Sequence, residues 1–278
     1  MMISNRVVEE GRRSQLRLIV AGFVGVFLLY STSFFVPMAI MLLASTGDAG
    51  IGVSEYSGLE AYREFLGSSY YREILLDSVQ LAVVTTVVAA LVSFPLAHLL
   101  VRGSKLVKAV TFVAVLSPLF VSVVVRAFGL ELFLRRLGIE NSGTAVVIGL
   151  VQVLLPFMVL PLAASFRELD PLLVTAARTL GAGRIRTAFQ VSLPALMPGV
   201  VAGAVLVFVL ALNNFAIPTI LGRPDDPVIA QVIYQSATTF ADFTLASAIA
   251  ITILAFVVVL LAATGRLGSR NPNLGQRE

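Results

Sequence analysis

Six stretches of this 278-residue chain stay apolar for about twenty residues or more, and few features restrict a fold as tightly. A hydrocarbon core about 30 Å thick offers no partner to a backbone N–H or C=O, so each stretch must satisfy its own hydrogen bonds as a helix. The runs fall near 18–44, 77–101, 108–130, 144–165, 196–220 and 244–265. The predicted fold is all-α, a polytopic membrane protein with six transmembrane helices. The first run is about twice the length of a signal-peptide apolar region and is expected to remain as an anchor. With 58% hydrophobic and 13% charged residues, the chain lies far from soluble domains, which are about half apolar and a quarter charged.

Six crossings put both termini on one side of the membrane. Arg6, Arg12, Arg13 and Arg17 precede the first run, Arg102, Lys105 and Lys108 follow the second, Arg167, Arg178, Arg184 and Arg186 follow the fourth, and Arg266, Arg270 and Arg277 follow the last. These positions hold most of the 20 lysines and arginines, so the positive-inside tendency makes both termini cytoplasmic. The expected organisation is a cytoplasmic arm at 1–17, one permease domain at 18–265 with an inner connection at 166–195, and a cytoplasmic tail at 266–278. On the outer side, "LEAYREFLGSSYYREILL" within 45–76 is expected to form a short surface helix. The net charge of +4 does not mark a nucleic-acid partner, because the basic residues sit in short groups between apolar runs.

Several chemistries lack the residues they need. There is no cysteine, so no disulfide, thiolate metal site or cysteine nucleophile exists. His98 is the sole histidine, which excludes a two-histidine zinc motif and disfavours a membrane-embedded hydrolase. It lies near the inner end of the second run, where an interfacial, aromatic-like role is expected. Neither Lys105 nor Lys108 follows a glycine, so no phosphate-cradling Gly-Lys-Ser/Thr loop is present and no nucleotide cofactor is expected in this chain. A passive channel remains the main alternative from another class, although a pore does not need the feature described next.

The inner connection reads "RELDPLLVTAARTLGAGRIRTAFQVSLPALMPG" from Arg167. Asp170-Pro171 is a helix-start pair. Leu172, Leu173, Ala176, Ala177 and Leu180 recur at helical spacing, Gly181 and Gly183 form a hinge, and a second short helix carries Ile185, Phe189 and Val191 until Leu193-Pro194 is expected to stop it. On spacing alone this could be an interfacial helix resting on lipid headgroups.

The stretch resembles the cytoplasmic-loop motif of ABC importer permeases, a Glu-Ala-Ala, three residues, Gly pattern that ends about nine residues later in hydrophobic-x-Leu-Pro. Ala176, Ala177, Gly181, Val191, Leu193 and Pro194 match it, while Thr175 stands where the family usually has glutamate. "SPLFVSVVVRAFGL", "LPFMVLPLAASFRELD" and "LVFVLALNNFAIPTILG" are similar to stretches of spermidine/putrescine-type permeases, closest to the B-type subunit, over about residues 57–265. The resemblance implies a bacterial inner-membrane permease paired with a second homologous permease or with its own copy. It also implies an external periplasmic or surface solute-binding protein and a separate ATPase pair that binds ATP and Mg. The matching loop would be a coupling helix docked on the ATPase, with Ala176, Ala177, Arg178, Gly181, Arg184, Phe189, Leu193 and Pro194 as the coupling residues. Related permeases carry polyamines, opines, aminoethylphosphonate or ferric iron, so the resemblance leaves the solute open.

Polar groups at membrane depth are costly and normally face a cavity or a partner. Arg126, in the outer half of the third run, is expected either to snorkel or pair with Glu131, or to line the solute path. Asn213 and Asn214, read as residues of a continuous fifth helix, are expected to divide between a cavity and an interhelical bond. The polyamine-type resemblance implies an acid near Asn213, and amides stand there instead. A cargo less cationic than a polyamine, zwitterionic or anionic, fits that difference. Pro95, Pro118, Pro156, Pro161, Pro198 and Pro218 are expected to bend their spans.

Overall fold

The computed structural model describes residues 2–47, 59–140 and 142–268, and these contain helices and no strand. In chain order the helices are α1 Met2–Ala44, α2 Glu60–Gly67, α3 Ser69–Arg102, α4 Lys105–Leu116, α5 Val123–Arg136 and α6 Gly143–Glu168. They continue as α7 Pro171–Thr179, α8 Arg184–Thr187, α9 Leu193–Leu212, α10 Ala216–Leu221, α11 Ile229–Thr238 and α12 Phe243–Gly268. Residues 48–58 of the first long loop, the tail from 269 on and the side chains of the basic N-terminal arm lie outside the description.

Five of the described helices are long and apolar enough to cross a membrane, and α4 with α5 makes a sixth if that bent pair is one span. The fourth and sixth expected runs coincide with α6 and α12 to within a few residues. α3 begins at Ser69, well before the expected 77, because the segment ahead of the span continues into it after a single break at Ser68. The predicted surface helix is α2, anchored by Ala61 and Phe65, which are almost completely buried.

The centre of the bundle is α6, packed against both α3 and α9, which also touch each other. Lipid tails are as apolar as leucine, so close fit and not water exclusion holds membrane helices together. α3 turns a row of small residues inward (Ser78, Ala82, Thr85, Ala89, Ser93, Ala97), which lets the backbones approach. α6 and α9 meet through glycines: a Cβ at Gly199 would stand 2.5 Å from Ser165 Oγ and 2.7 Å from the Pro161 carbonyl, and one at Gly203 2.5 Å from Met158 Sδ.

Two expected spans are not single helices. The third folds back by 108° between α4 and α5, where Ser117–Phe120 tightens to a 3-10 turn and Val121 and Ser122 are extended. Pro118 contributes by withholding an N–H from the helix. The depth of Arg126 therefore does not follow from a constant rise along one axis. The fifth stops at Leu212 and resumes at Ala216. Its N-terminal end differs as well: Leu193-Pro194 does not stop the preceding helix, and residues Arg184–Leu212 run on as one body through a π turn at Ala188–Ser192. Leu193 N–H donates to the Ala188 carbonyl five residues back. The wider turn relieves the clash that the Pro194 ring would otherwise make with the preceding turn, so the proline is absorbed.

Candidate functional site

Asp170 caps α7: its Oδ1 accepts from Leu172 N–H at 2.8 Å, and Pro171 occupies the first turn, where no N–H is needed. Thr175, in the position where the resembled motif has glutamate, turns its hydroxyl inward and donates to the Pro171 carbonyl at 3.0 Å. α7 ends at Gly181, whose φ of +86° lies in the left-handed region that glycine adopts without strain. Ala182 N–H then donates to the Ala177 carbonyl, and Thr187, buried, donates its hydroxyl to the Gly183 carbonyl at 3.0 Å. These bonds fold α7 back on α8 and the π turn, so the hinge is a fixed elbow.

None of the nine residues of α7 is buried. Leu172 is 73% exposed, Leu180 88%, Ile185 76% and Phe189 66%, and the exposed cations Arg178, Arg184 and Arg186 stand among them. Arg186 Nε donates to Gln190 Oε1 at 2.9 Å across the start of the π turn. Gly183, Arg184, Ile185, Arg186, Phe189 and Gln190 outline an open hollow. Of the residues the sequence singled out, Ala176, Ala177, Arg178 and Gly181 lie on or beside α7, and Arg184 and Phe189 lie across the elbow. Leu193 and Pro194 lie farther along, in the first turn of α9.

One tie to the bundle escaped sequence reasoning. Arg102, the last residue of α3, donates through Nη2 to the Leu169 carbonyl at 3.1 Å, at the junction of α6 and α7. The bond puts two of the arginine-rich connections at the same end of the molecule. Its only signal in the sequence was a basic residue closing a span. Nearby, the Phe166 ring meets His98 edge-on at 5.6 Å and Phe94 at 5.4 Å, the aromatic-like role expected for the histidine.

The expected path residues do not form one cluster by hydrogen bonding. Asn213 Nδ2 donates to the Val209 carbonyl at 2.9 Å, within its own helix end. Asn214 Oδ1 accepts from Ile217 N–H at 3.0 Å and caps α10. Neither asparagine bonds between helices, contrary to the expectation, because each serves a backbone group freed by the break. The Arg126–Glu131 pair is not formed either: Glu131 Oε1 accepts from Arg135 Nη2 at 2.6 Å. A cavity of about 270 Å³ opens elsewhere, lined by Asp77, Gln80, Arg223 and Asp226 among others, and none of the three expected path residues borders it. Among the described residues no group of His, Cys, Asp or Glu could hold a metal ion.

A bundle of apolar helices with broken spans, carrying an exposed amphipathic elbow at its arginine-rich end, defines a polytopic membrane permease subunit. The family of binding-protein-dependent transport system inner membrane components matches residues 82–270, and this chain belongs to it. It is 30% identical over 238 residues to the spermidine/putrescine transport system permease protein PotB of Escherichia coli (strain K12), covering 79% of this chain and 86% of that protein. It is 28% identical to a putative 2-aminoethylphosphonate transport system permease protein of Salmonella typhimurium (strain LT2), covering 81% and 83%. Among solved structures, a subunit of a bacterial alginate ABC transporter in complex with an alginate-loaded periplasmic protein has the same fold. Its TM-score is 0.69 at 18% identity, over 93% of this chain and 96% of that one.

Proposed function

We propose that this chain is one of two permease subunits of an ATP-driven importer that passes a small polar solute from an external binding protein to the cytoplasm. The ATP is hydrolysed, with Mg, on a separate ATPase pair, and both termini and the α7–α8 elbow face the cytoplasm. The observation that carries the reading is the elbow itself. Leu172, Leu180, Ile185 and Phe189 are exposed among arginines, and the described residues supply them no cover. Such a surface suits a partner groove that takes the apolar face and leaves the cations at the rim. Because α8, the π turn and α9 form one rod and Arg102 holds the root of α7, a push on the elbow reaches α3, α6 and α9 together.

The relatives support the reading: PotB is a permease of a transport system for spermidine and putrescine, and the alginate transporter works with a periplasmic protein. In this account Ala176, Ala177, Arg178, Gly181, Arg184 and Phe189 form or shape the docking surface, while Leu193 and Pro194 join it to α9. Purification of the full chain in mild detergent, from cells expressing its neighbouring transporter subunits, tests it. An ATPase and a second permease should co-elute, and Leu180→Asp should release the ATPase while the permease pair stays intact. A chain that elutes alone and conducts solute without ATP contradicts the proposal.

A further inference from the structure

The cavity of about 270 Å³ lies among the start of α3, the start of α6, the end of α10 and the loop at 222–228. α3 is one helix of 34 residues, about 51 Å long at 1.5 Å per residue, which exceeds a hydrocarbon core about 30 Å thick. Arg102, its last residue, marks the elbow end of the molecule. Asp77, about two turns from its start, borders the cavity, which therefore opens at the opposite end. The floor is closed. A Cβ at Gly149, one turn beyond Val146, would stand 2.5 Å from Leu221 Cδ1 and 2.9 Å from Ile217 Cγ2, so α6 and α10 touch there. Leu150, Ile217 and Leu221 are at most 1% exposed. A solute entering here meets that closed contact, so the cavity is a socket and not a stretch of path.

The loop wall is fixed in place. Ile229 N–H donates to Ser78 Oγ on α3 at 2.8 Å, Val228 N–H donates to Gln231 Oε1 at 2.8 Å, and Pro224 and Pro227 stiffen the loop. Asp77 and Asp226 are exposed at the mouth, and among the described residues neither carboxylate has a hydrogen bond or ion pair. Arg223 borders the cavity too and pairs with neither, so negative charge is in excess. The α6 N-terminus, which would favour an anion, is capped by Ser142, whose Oγ accepts from Ala145 N–H at 3.2 Å. Leu81, Val147 and Pro218 give the cavity an apolar lining beneath the charges. The chain's own loop at 48–58 carries Asp48 and Glu55 and no lysine or arginine, so it supplies no cation.

We propose that this cavity is a docking socket for the external solute-binding protein, which inserts one lysine or arginine. The aliphatic stem of that side chain lies on Leu81, Val147 and Pro218, and its charged head meets Asp77 and Asp226. A preformed pocket that takes a single long side chain is the usual setting of a strong interface anchor. The proposal rests on the importer reading and deepens it, by naming where the binding protein is gripped and by what chemistry.

The test measures binding of the transporter's own purified solute-binding protein to the assembled transporter in phosphatidylcholine nanodiscs, with and without phosphatidylethanolamine. Asp77→Asn combined with Asp226→Asn should weaken binding at least about tenfold and flatten its dependence on salt. Val147→Phe, which fills the socket and keeps both charges, should weaken it by a similar factor. Asp225→Asn, beside the socket but outside its lining, should change it less than about twofold. Unchanged binding in the double variant or in Val147→Phe overturns the proposal, as does equal weakening by Asp225→Asn. So does normal docking with lost uptake, which assigns the cavity to the solute, or binding that follows phosphatidylethanolamine content, which assigns it to a lipid headgroup. ATPase co-elution should be normal in every variant and reports that the permease has assembled. Its absence from the unaltered chain defeats the importer reading, which none of the binding results does, so the two fail separately.

Discussion

α6 and α7 are separated only by Leu169 and Asp170, yet they meet their surroundings in opposite ways. More than half of the 26 residues of α6 are buried by α3 and α9, whereas α7, with leucines and alanines at helical spacing, buries none. α6 finds its partners within the chain because small residues face it on both sides. Among the described residues α7 is held by its Asp170 cap, the Gly181 elbow with its contacts to α8 and the π turn, and the Arg102 bond to Leu169, and none of its residues is buried. One helix is finished by its own fold, and the other keeps an apolar face that the described residues do not bury.

The most damaging way to break this contrast is to fill the close crossing on the finished side. Gly199→Val would force carbon into Ser165 Oγ and the Pro161 carbonyl, and overpacking of this kind costs about 1–3 kcal/mol, more where backbone cannot yield. Unfolding in detergent should begin at much lower temperature, and little assembled permease should be recovered. On the unfinished side the opposite is expected. Phe189→Asp should leave the melting curve of the isolated permease nearly unchanged, and should weaken ATPase association measured by surface-immobilised binding by about thirtyfold or more, the loss typical of a central interface anchor.

A smaller effect belongs to the link between the two regions. Arg102→Met removes the donor to the Leu169 carbonyl, so the elbow should still bind ATPase but move less faithfully with the bundle. Solute transported per ATP hydrolysed in proteoliposomes should fall about threefold to tenfold, the scale of one ordinary hydrogen bond. An unchanged ratio would show that the rod from Arg184 to Leu212 carries the motion alone. The smallest effect is expected at His98. His98→Tyr keeps a ring against Phe166, so stability should shift by less than about 0.5 kcal/mol and uptake should be unaltered.

Much of this contrast was legible in the sequence, and what was hidden has physical causes. α6 and α12 could be placed within a few residues because an apolar run without interruption leaves a helix no alternative in lipid. Asp170-Pro171 and Gly181 marked both ends of α7 through capping and left-handed backbone, which are local properties. The reversal at Ser117–Ser122 was hidden because hydropathy reports composition and carries no direction. Leu193-Pro194 suggested a stop because proline disrupts an α turn, while a π turn accommodates it by spacing the hydrogen bonds wider. Asn213 and Asn214 looked like mid-helix polar residues, although asparagine ahead of a short apolar segment is also a cap signal, and Asn214 acts as one. The Arg102 bond joins residues 67 apart, beyond the reach of any local pattern.

The chain contains no cysteine, so Leu180→Cys creates a unique label on the most exposed apolar residue of the elbow. A membrane-impermeant maleimide should fail to label it in intact cells, label it in inside-out vesicles stripped of ATPase, and fail again once purified ATPase is restored. Labelling from the outside of intact cells, or labelling that the ATPase does not suppress, would contradict the claim that this elbow receives the motion of a cytoplasmic engine.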